Sequence, residues 1–534
     1  MGNATLLLIT LFLPLAGAAA LLLVPPQRDT VVRRLTLAVM LAQLALAAML
    51  YQRFDAAATG LQFATHVPWI AAWGVGFSIG LDGYNVLLVL LTAFLGPLAV
   101  AGSLTAIRRD VKLFHVILLF TQFAITGAFV AQDLFLFYVF WEAMVIPMFF
   151  LIGIWGGARR REATIKFVLY TAFGSILMLA AIIYLALSLT ATSDVVSFAI
   201  ADLLRAKLPL SAQVWLLAAF GLAFAIKVPL VPLHTWLPDA YTEAPIAGSL
   251  LLSGVLAKVG TYGFMKLALP LFPDAAVLYA PFIGTLAVIS ILYGACLALV
   301  QQDIKRVVAY SSVSHLGFVI LGLASLDLIG IQGAVIQMVS HGLVAAGLFL
   351  LVGMLEERGR TREIAAYGGI AKLMPVYSVL LLVLTLAAIG LPTTSGFTGE
   401  FLVLLGAFGG AWARYANGAV WPLVASVAAV SGVVLGALYM LWLVQRVLFG
   451  AARAPFQPLA DLGARERAIV GVIVVAVFAL GLFPGGPLAK TELAARDFQR
   501  LVTTSRAGRA VAGTPAPRSA DTVASATNPS KSSR

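Results

Sequence analysis

One length dominates the hydrophobic pattern. Runs of about 20 apolar residues, enough to cross a hydrocarbon core as a helix, recur from residue 4 to residue 486, separated by short polar or basic stretches. They predict transmembrane helices near 4–24, 34–51, 84–107, 113–131, 134–156, 166–191, 213–235, 246–269, 276–300, 306–326, 328–354, 373–411, 419–445 and 468–486, fourteen spans in all. The twelfth run is too long for one straight span, so a break is expected in it. The first run carries GAAA at 17–20, as a cleavable leader does, but lacks a basic start and is read as a retained helix. From about residue 505 the chain turns polar and rich in Pro and Ser, the composition of a disordered tail.

Composition agrees with that pattern and narrows the chemistry. Of 534 residues, 61% are hydrophobic and 11% charged, against about 25% charged in soluble domains. The fold class is therefore an all-α polytopic membrane protein. The single cysteine, Cys296, cannot by itself ligate an iron–sulfur cluster, complete a structural zinc site or form a disulfide within the chain. GVGFSIG at 74–80 has the wrong glycine spacing for a dinucleotide fingerprint, and no GxxxxGK[ST] phosphate loop occurs. No cofactor is expected in this chain, so any redox or nucleotide chemistry belongs to partners.

The net charge of +12 is a topology signal and gives no reason to expect nucleic acid as a partner. Eight of the 35 Lys/Arg lie from 487 onward, and most others sit in loops between spans. With the N-terminus outside, 20 Lys/Arg fall in cytoplasmic loops and four (Arg53, Arg205, Lys207, Arg414) in external ones, a strong positive-inside bias. An even number of spans then leaves the basic C-terminal tail outside too, against the same rule. The chain is expected in a bacterial inner membrane with both termini periplasmic.

Ionisable residues near the middle of spans need a reason, because each costs about 2.5–3.5 kcal/mol on insertion scales. Glu142 lies eight residues into the fifth span, Lys227 just before Pro229 and Pro232 in the seventh, and Lys258 about twelve residues into the eighth. His315 and His341 fall near the midpoints of the tenth and eleventh spans, and Glu400 lies eight residues after Pro392 in the twelfth. Lys266, close to a span end, is expected to snorkel to the headgroups. A lone intramembrane His can merely bond across helices, and a lone Glu–Lys pair can merely lock two of them. Six titratable groups at similar depth instead mark an ion or proton path. The prolines interrupt the seventh span, and Pro392, Gly396 and Gly399 interrupt the twelfth. Matched breaks five spans apart, each beside a charge, predict two inverted repeats of five helices, spans 4–8 and 9–13, meeting at an ion site.

The strings FWEAMVIPMFFLIGIWGG, KVPLVPLHTWLPDAYTEAP, SGVLAKVGTYG, QQDIKRVVAYSSVSHLGF and GLPTTSGFTGEF, with LDGYN at 81–85, together resemble the antiporter-like subunits of respiratory complex I. The resemblance covers roughly residues 80–450. Glu400, where subunits L and N and the Mrp antiporters typically have lysine, points within that group to the subunit M (chain 4) type. This resemblance implies that Glu142 and Lys227 form the ion pair of a first half-channel. Lys258 would be the central relay, His315 and His341 the carriers of the connecting axis, and Glu400 the terminal acceptor. It also implies coupling to NADH:quinone oxidoreduction in neighbouring membrane and peripheral subunits, which would hold the flavin, iron–sulfur clusters and quinone. The expected organisation is helices 1–3 in 1–112, a first repeat in 113–269, a second through the broken helix in 270–417, two last helices in 418–486, and the tail in 487–534. The rival readings are a cation/proton antiporter of the Mrp type, a membrane-bound hydrogenase subunit, or a structural scaffold whose buried charges only lock helices.

Overall fold

A computed structural model describes residues 2–190, 196–416, 418–451 and 459–505; the tail beyond 505, expected to be disordered, lies outside the described residues. Thirteen helices among the described residues are long and apolar enough to cross a membrane, and a bent pair, Ala464–Leu482 with Gly485–Val502, makes a fourteenth span. Each predicted span has its helix. The chain is a multi-pass, almost wholly helical membrane protein.

Four features differ from the sequence reading. The fifth span is two helices, Leu134–Ala143 and Val145–Trp155, parted at Met144; Pro147 has no N–H to offer the carbonyl four residues back, so the ladder breaks there. Between the second and third spans, Gln62–Ile70 and Val75–Leu81 form an antiparallel hairpin, with His66 opposite Ser78 and Val67 opposite Phe77. The glycine-rich string at 74–80 is the turn and second strand of that hairpin. The start of the basic tail is a helix, Gly485–Thr504, bent by 64° from the span before it. It lies across the end of the bundle that carries the hairpin: Lys490 Nζ donates to the Phe54 carbonyl (2.7 Å) and Gln332 Nε2 to that of Leu488 (3.1 Å). Finally, Lys266 does not snorkel freely; it pairs with Asp82 of LDGYN at 2.6 Å.

Span starts are fixed by a repeated local device. Asp133, Asp303 and Asp327 each accept from the first backbone N–H groups of the following helix, at 2.7–3.3 Å. A carboxylate there meets both the unpaired donors and the positive end of the helix dipole.

The two expected breaks are present, and their freed backbone groups have partners. The seventh span stops at Lys227 and restarts as Trp236–Glu243. Across the gap, Trp236 Nε1 donates to the Ile226 carbonyl at 2.8 Å, and the Val231 N–H donates to Ser290 Oγ at 3.0 Å. The twelfth span is Pro375–Ala388 and then Ser395–Tyr415; between them the Leu391 N–H donates to the Leu386 carbonyl at 3.0 Å and the Thr394 N–H to the Leu391 carbonyl at 3.1 Å, and Ser340 Oγ to Ser395 Oγ at 2.8 Å ties the restart to the eleventh span. Irregular backbone survives at membrane depth only when faced by protein groups of this kind.

The eighth span, Ile246–Leu271, is wholly buried, and the tenth and eleventh, Ile304–Ala324 and Leu328–Gly359, nearly so. The sixth and thirteenth, Arg160–Ser188 and Trp421–Leu448, turn much of their surface outward. The eighth span contains two π-helical stretches, Leu252–Leu256 and Phe264–Ala268, on either side of Lys258, local widenings that often accompany functional sites. It meets the eleventh span backbone to backbone: a Cβ added at Gly342 would come 2.7 Å from the Gly254 carbonyl oxygen. Gly342→Val should therefore cost about 1–3 kcal/mol, seen as a lower thermal midpoint of the detergent-solubilised protein. Gly436→Ala, whose added carbon meets no atom within 4 Å, should not lower the midpoint, since Ala is the better helix former.

Candidate functional site

The three central helices and the second half of the broken twelfth span bring four of the six predicted residues into a row. Lys258 Nζ, fully buried, lies 2.6 Å from His341 Nδ1 and also donates to the Ser253 carbonyl. The His341 ring is 5.8 Å, centroid to centroid, from that of His315. His315 Nδ1 is 2.7 Å from Glu400 Oε1. Gln337 Nε2 donates to the same carboxylate oxygen at 3.0 Å, and the Tyr439 hydroxyl is 3.4 Å from His315 Nε2. His341 Nε2 has no protein partner. A cavity of about 20 Å³, lined in part by Ser311, His315, Gln337, Ser340, His341 and Glu400, opens beside the two rings. A water needs roughly 10–15 Å³ and two to four polar partners, so this cavity has room for one water beside the imidazoles.

Lys227 belongs to the same depth but stands apart. Its Nζ is fully buried and has no hydrogen-bond partner among the described residues, 4.9 Å from the Trp141 ring centroid and 5.9 Å from that of Phe167. Its backbone nonetheless presses on the eighth span: a Cβ at Gly260 would come 3.0 Å from Lys227 Cβ, two residues past Lys258. Glu142, next to Trp141, is half-buried and forms no ion pair with Lys227; its Oε1 accepts from Ser175 Oγ on the sixth span. The ion pair implied by the resemblance is therefore open in this structure.

A second charged cluster, at the cytoplasmic end by the positive-inside assignment, was missed from sequence. Asp239 pairs with Lys166 (2.8 Å) and Arg306 (3.1 Å), and Glu243 with Arg362 (3.5 Å) and the Arg159 N–H (3.0 Å). Lys305 Nζ, buried, donates to the Ala244 carbonyl at 2.7 Å. A vestibule of about 590 Å³ opens there, with Glu243, Lys305, Glu356 and Arg362 among its walls. Both acids lie in the string LPDAYTEAP and both Lys305 and Arg306 in DIKR, so the signal was visible; position near helix ends made them look like ordinary loop charges. Among the described residues no three His, Cys, Asp or Glu side chains converge as a metal site requires.

With this geometry in view, the comparisons are specific. The transmembrane model of the NADH:quinone oxidoreductase/Mrp antiporter family matches residues 131–427, which include every member of the row. NADH-quinone oxidoreductase subunit M of Rhodobacter capsulatus is 41% identical over 492 residues, covering 90% of this chain and 93% of the relative. The chain belongs to the NADH-quinone oxidoreductase subunit M family. Membership agrees with the resemblance carried by the five strings and Glu400. A chain in the structure of respiratory complex I from Thermus thermophilus with bound NADH superposes with a TM-score of 0.83 at 33% identity, covering 93% of this chain and 99% of that one. A chain of the Mrp complex from Dietzia sp. superposes nearly as well, with a TM-score of 0.79 over 96% of this chain and 99% of that one, but at 21% identity. That likeness shows a common fold and leaves function to the site.

The contact between His315 and Glu400 is testable by stability alone. His315→Ala and Glu400→Gln should be non-additive by about 0.5–3 kcal/mol in thermal unfolding. Glu400→Gln combined with Arg358→Ala should add, because Arg358 lies about 25 Å along the eleventh span from His341 at 1.5 Å per residue.

Proposed function

We propose that this chain is the proton-translocating membrane subunit of a bacterial NADH:quinone oxidoreductase, coupling quinone reduction elsewhere in the complex to proton pumping. The observation that carries the reading is the contact chain Lys258–His341–His315–Glu400, four titratable groups in sequence at membrane depth. Its partners are the other membrane and peripheral subunits, above all neighbouring antiporter-like chains, together with membrane lipid. Flavin, iron–sulfur clusters and quinone belong to those partners. The chain sits in the inner membrane with both termini on the periplasmic side, and spans 4–8 and 9–13 act as two half-channels.

In this reading Lys227 holds a proton while Glu142 is close and passes it to Lys258 when the pair opens. The close packing of Lys227 Cβ on Gly260 supports this reading only in making the seventh and eighth spans, which carry the two lysines, direct neighbours. His341 takes the proton from Lys258, a water in the small cavity carries it to His315, and Glu400 receives it for release outside. The energies are commensurate. Moving one charge against 100 mV costs about 2.3 kcal/mol, and an ion pair at 4 Å is worth about 4 kcal/mol at an effective dielectric of about 20. Opening or closing one pair is enough to drive the step. The Mrp-type reading shares the fold but expects lysine where Glu400 stands, and the scaffold reading gives no reason for a water-sized cavity beside the row.

The test uses inverted membrane vesicles carrying Lys258→Ala, with assembly of the complex checked first. NADH oxidation and interior acidification should fall together at least tenfold while reduction of an artificial acceptor persists. Wild-type levels of both would overturn the reading.

A further inference from the structure

The row does not use Ser175, yet this residue holds the carboxylate that the first half-channel depends on. Ser175 is buried on the sixth span, Arg160–Ser188, and its Oγ donates to Glu142 Oε1. A serine has one O–H to give. With that proton directed at Glu142, the Tyr138 hydroxyl, 3.5 Å from the same Oγ and one turn before Glu142, is the donor to Ser175. The same helix places Phe167, eight residues earlier, 5.9 Å from Lys227 Nζ, which also lies 4.9 Å from the Trp141 ring. The sixth span thus offers a neutral donor to Glu142 and an aromatic ring to Lys227.

We propose that Ser175 is a positioning residue for the Glu142–Lys227 switch: its hydroxyl competes with Lys227 for one carboxylate and holds Glu142 in the open state. The proposal rests on the proton-pumping reading above and adds to it the partner that makes the open state a stable one. A carboxylate released from an ion pair inside a membrane needs another donor at once, and the Ser175 hydroxyl supplies it without carrying charge. No proton leaves Ser175; the transferred proton is the one on Lys227 Nζ, which passes to the neutral amine of Lys258. A sixth-span serine of purely structural use would be replaceable by any residue of its size.

The experiment compares Ser175→Ala, Ser175→Thr and Ser175→Val in inverted vesicles, with NADH as donor and interior acidification recorded against electrons transferred. Each preparation is normalised to its NADH:artificial-acceptor activity. The Thr and Val side chains have the same shape and differ in the hydroxyl, so they decide the matter even where Ser175→Ala fails to assemble. Expected is a loss of about tenfold in pumping rate for Ala and Val, in line with a hydrogen bond to a charged group, and recovery to within about twofold for Thr. Equal rates in Thr and Val overturn the proposal. Glu142→Gln is measured alongside. If Glu142→Gln collapses pumping while Thr and Val agree, only the role of Ser175 falls. If Glu142→Gln pumps normally, the first half-channel reading falls with it.

Discussion

Everything in this molecule follows from the lack of water in the hydrocarbon core. A backbone amide or a charge placed there has only other protein groups to turn to. The two broken spans are where that demand is greatest: the Trp236 indole and the Ser290 hydroxyl answer it at the first, and turn bonds from the Leu391 and Thr394 N–H groups to the Leu386 and Leu391 carbonyls at the second. The charged groups beside the breaks are answered in the same way. Glu400 is held by His315 and Gln337, both supplied by the buried central helices. Those helices are central because they must face other helices on every side, and this is also why Lys258 and the two histidines can sit on them.

Much of this was legible in the sequence because depth in a span is a matter of counting. Glu142, Lys227, Lys258, His315, His341 and Glu400 stood out against apolar surroundings, and Pro229, Pro232 and Pro392 located the breaks. Partnership was less legible, because it depends on which helices meet. Lys266 was dismissed as a residue near a span end, when its partner Asp82 lies 184 positions earlier in the chain. Ser175 could not be singled out, since serine is common in membrane helices and its meaning comes from Glu142 across the interface. The hairpin was hidden because QFATHVPWI alternates weakly and its exposed face carries Trp69. In the tail, charge drew attention away from the spacing of Ala495, Phe498 and Val502, which bury one face of Gly485–Thr504 against the bundle.

The fold by itself says less than the site. A chain of the Mrp complex shares the same helical frame, so architecture alone does not separate the alternatives. Identity along the sequence does. The electrostatic layout also divides labour between depth and surface. Acids and bases near the helix ends, such as Glu243 with Arg362 and Asp239 with Arg306, are paired in fixed contacts. Deeper in, Lys227 is left without a hydrogen-bond partner. A group bound by two fixed partners is a fastener, whereas a group without one is free to respond.

The 5.8 Å separation of the His315 and His341 rings has a consequence for energy conservation. A membrane that stores a voltage must be an insulator, and a row of side chains bonded end to end would short-circuit it. No hydrogen bond joins the two imidazoles, so in the proton-pumping reading the row is not a continuous wire, and charge does not run along it unless a further group bridges the rings.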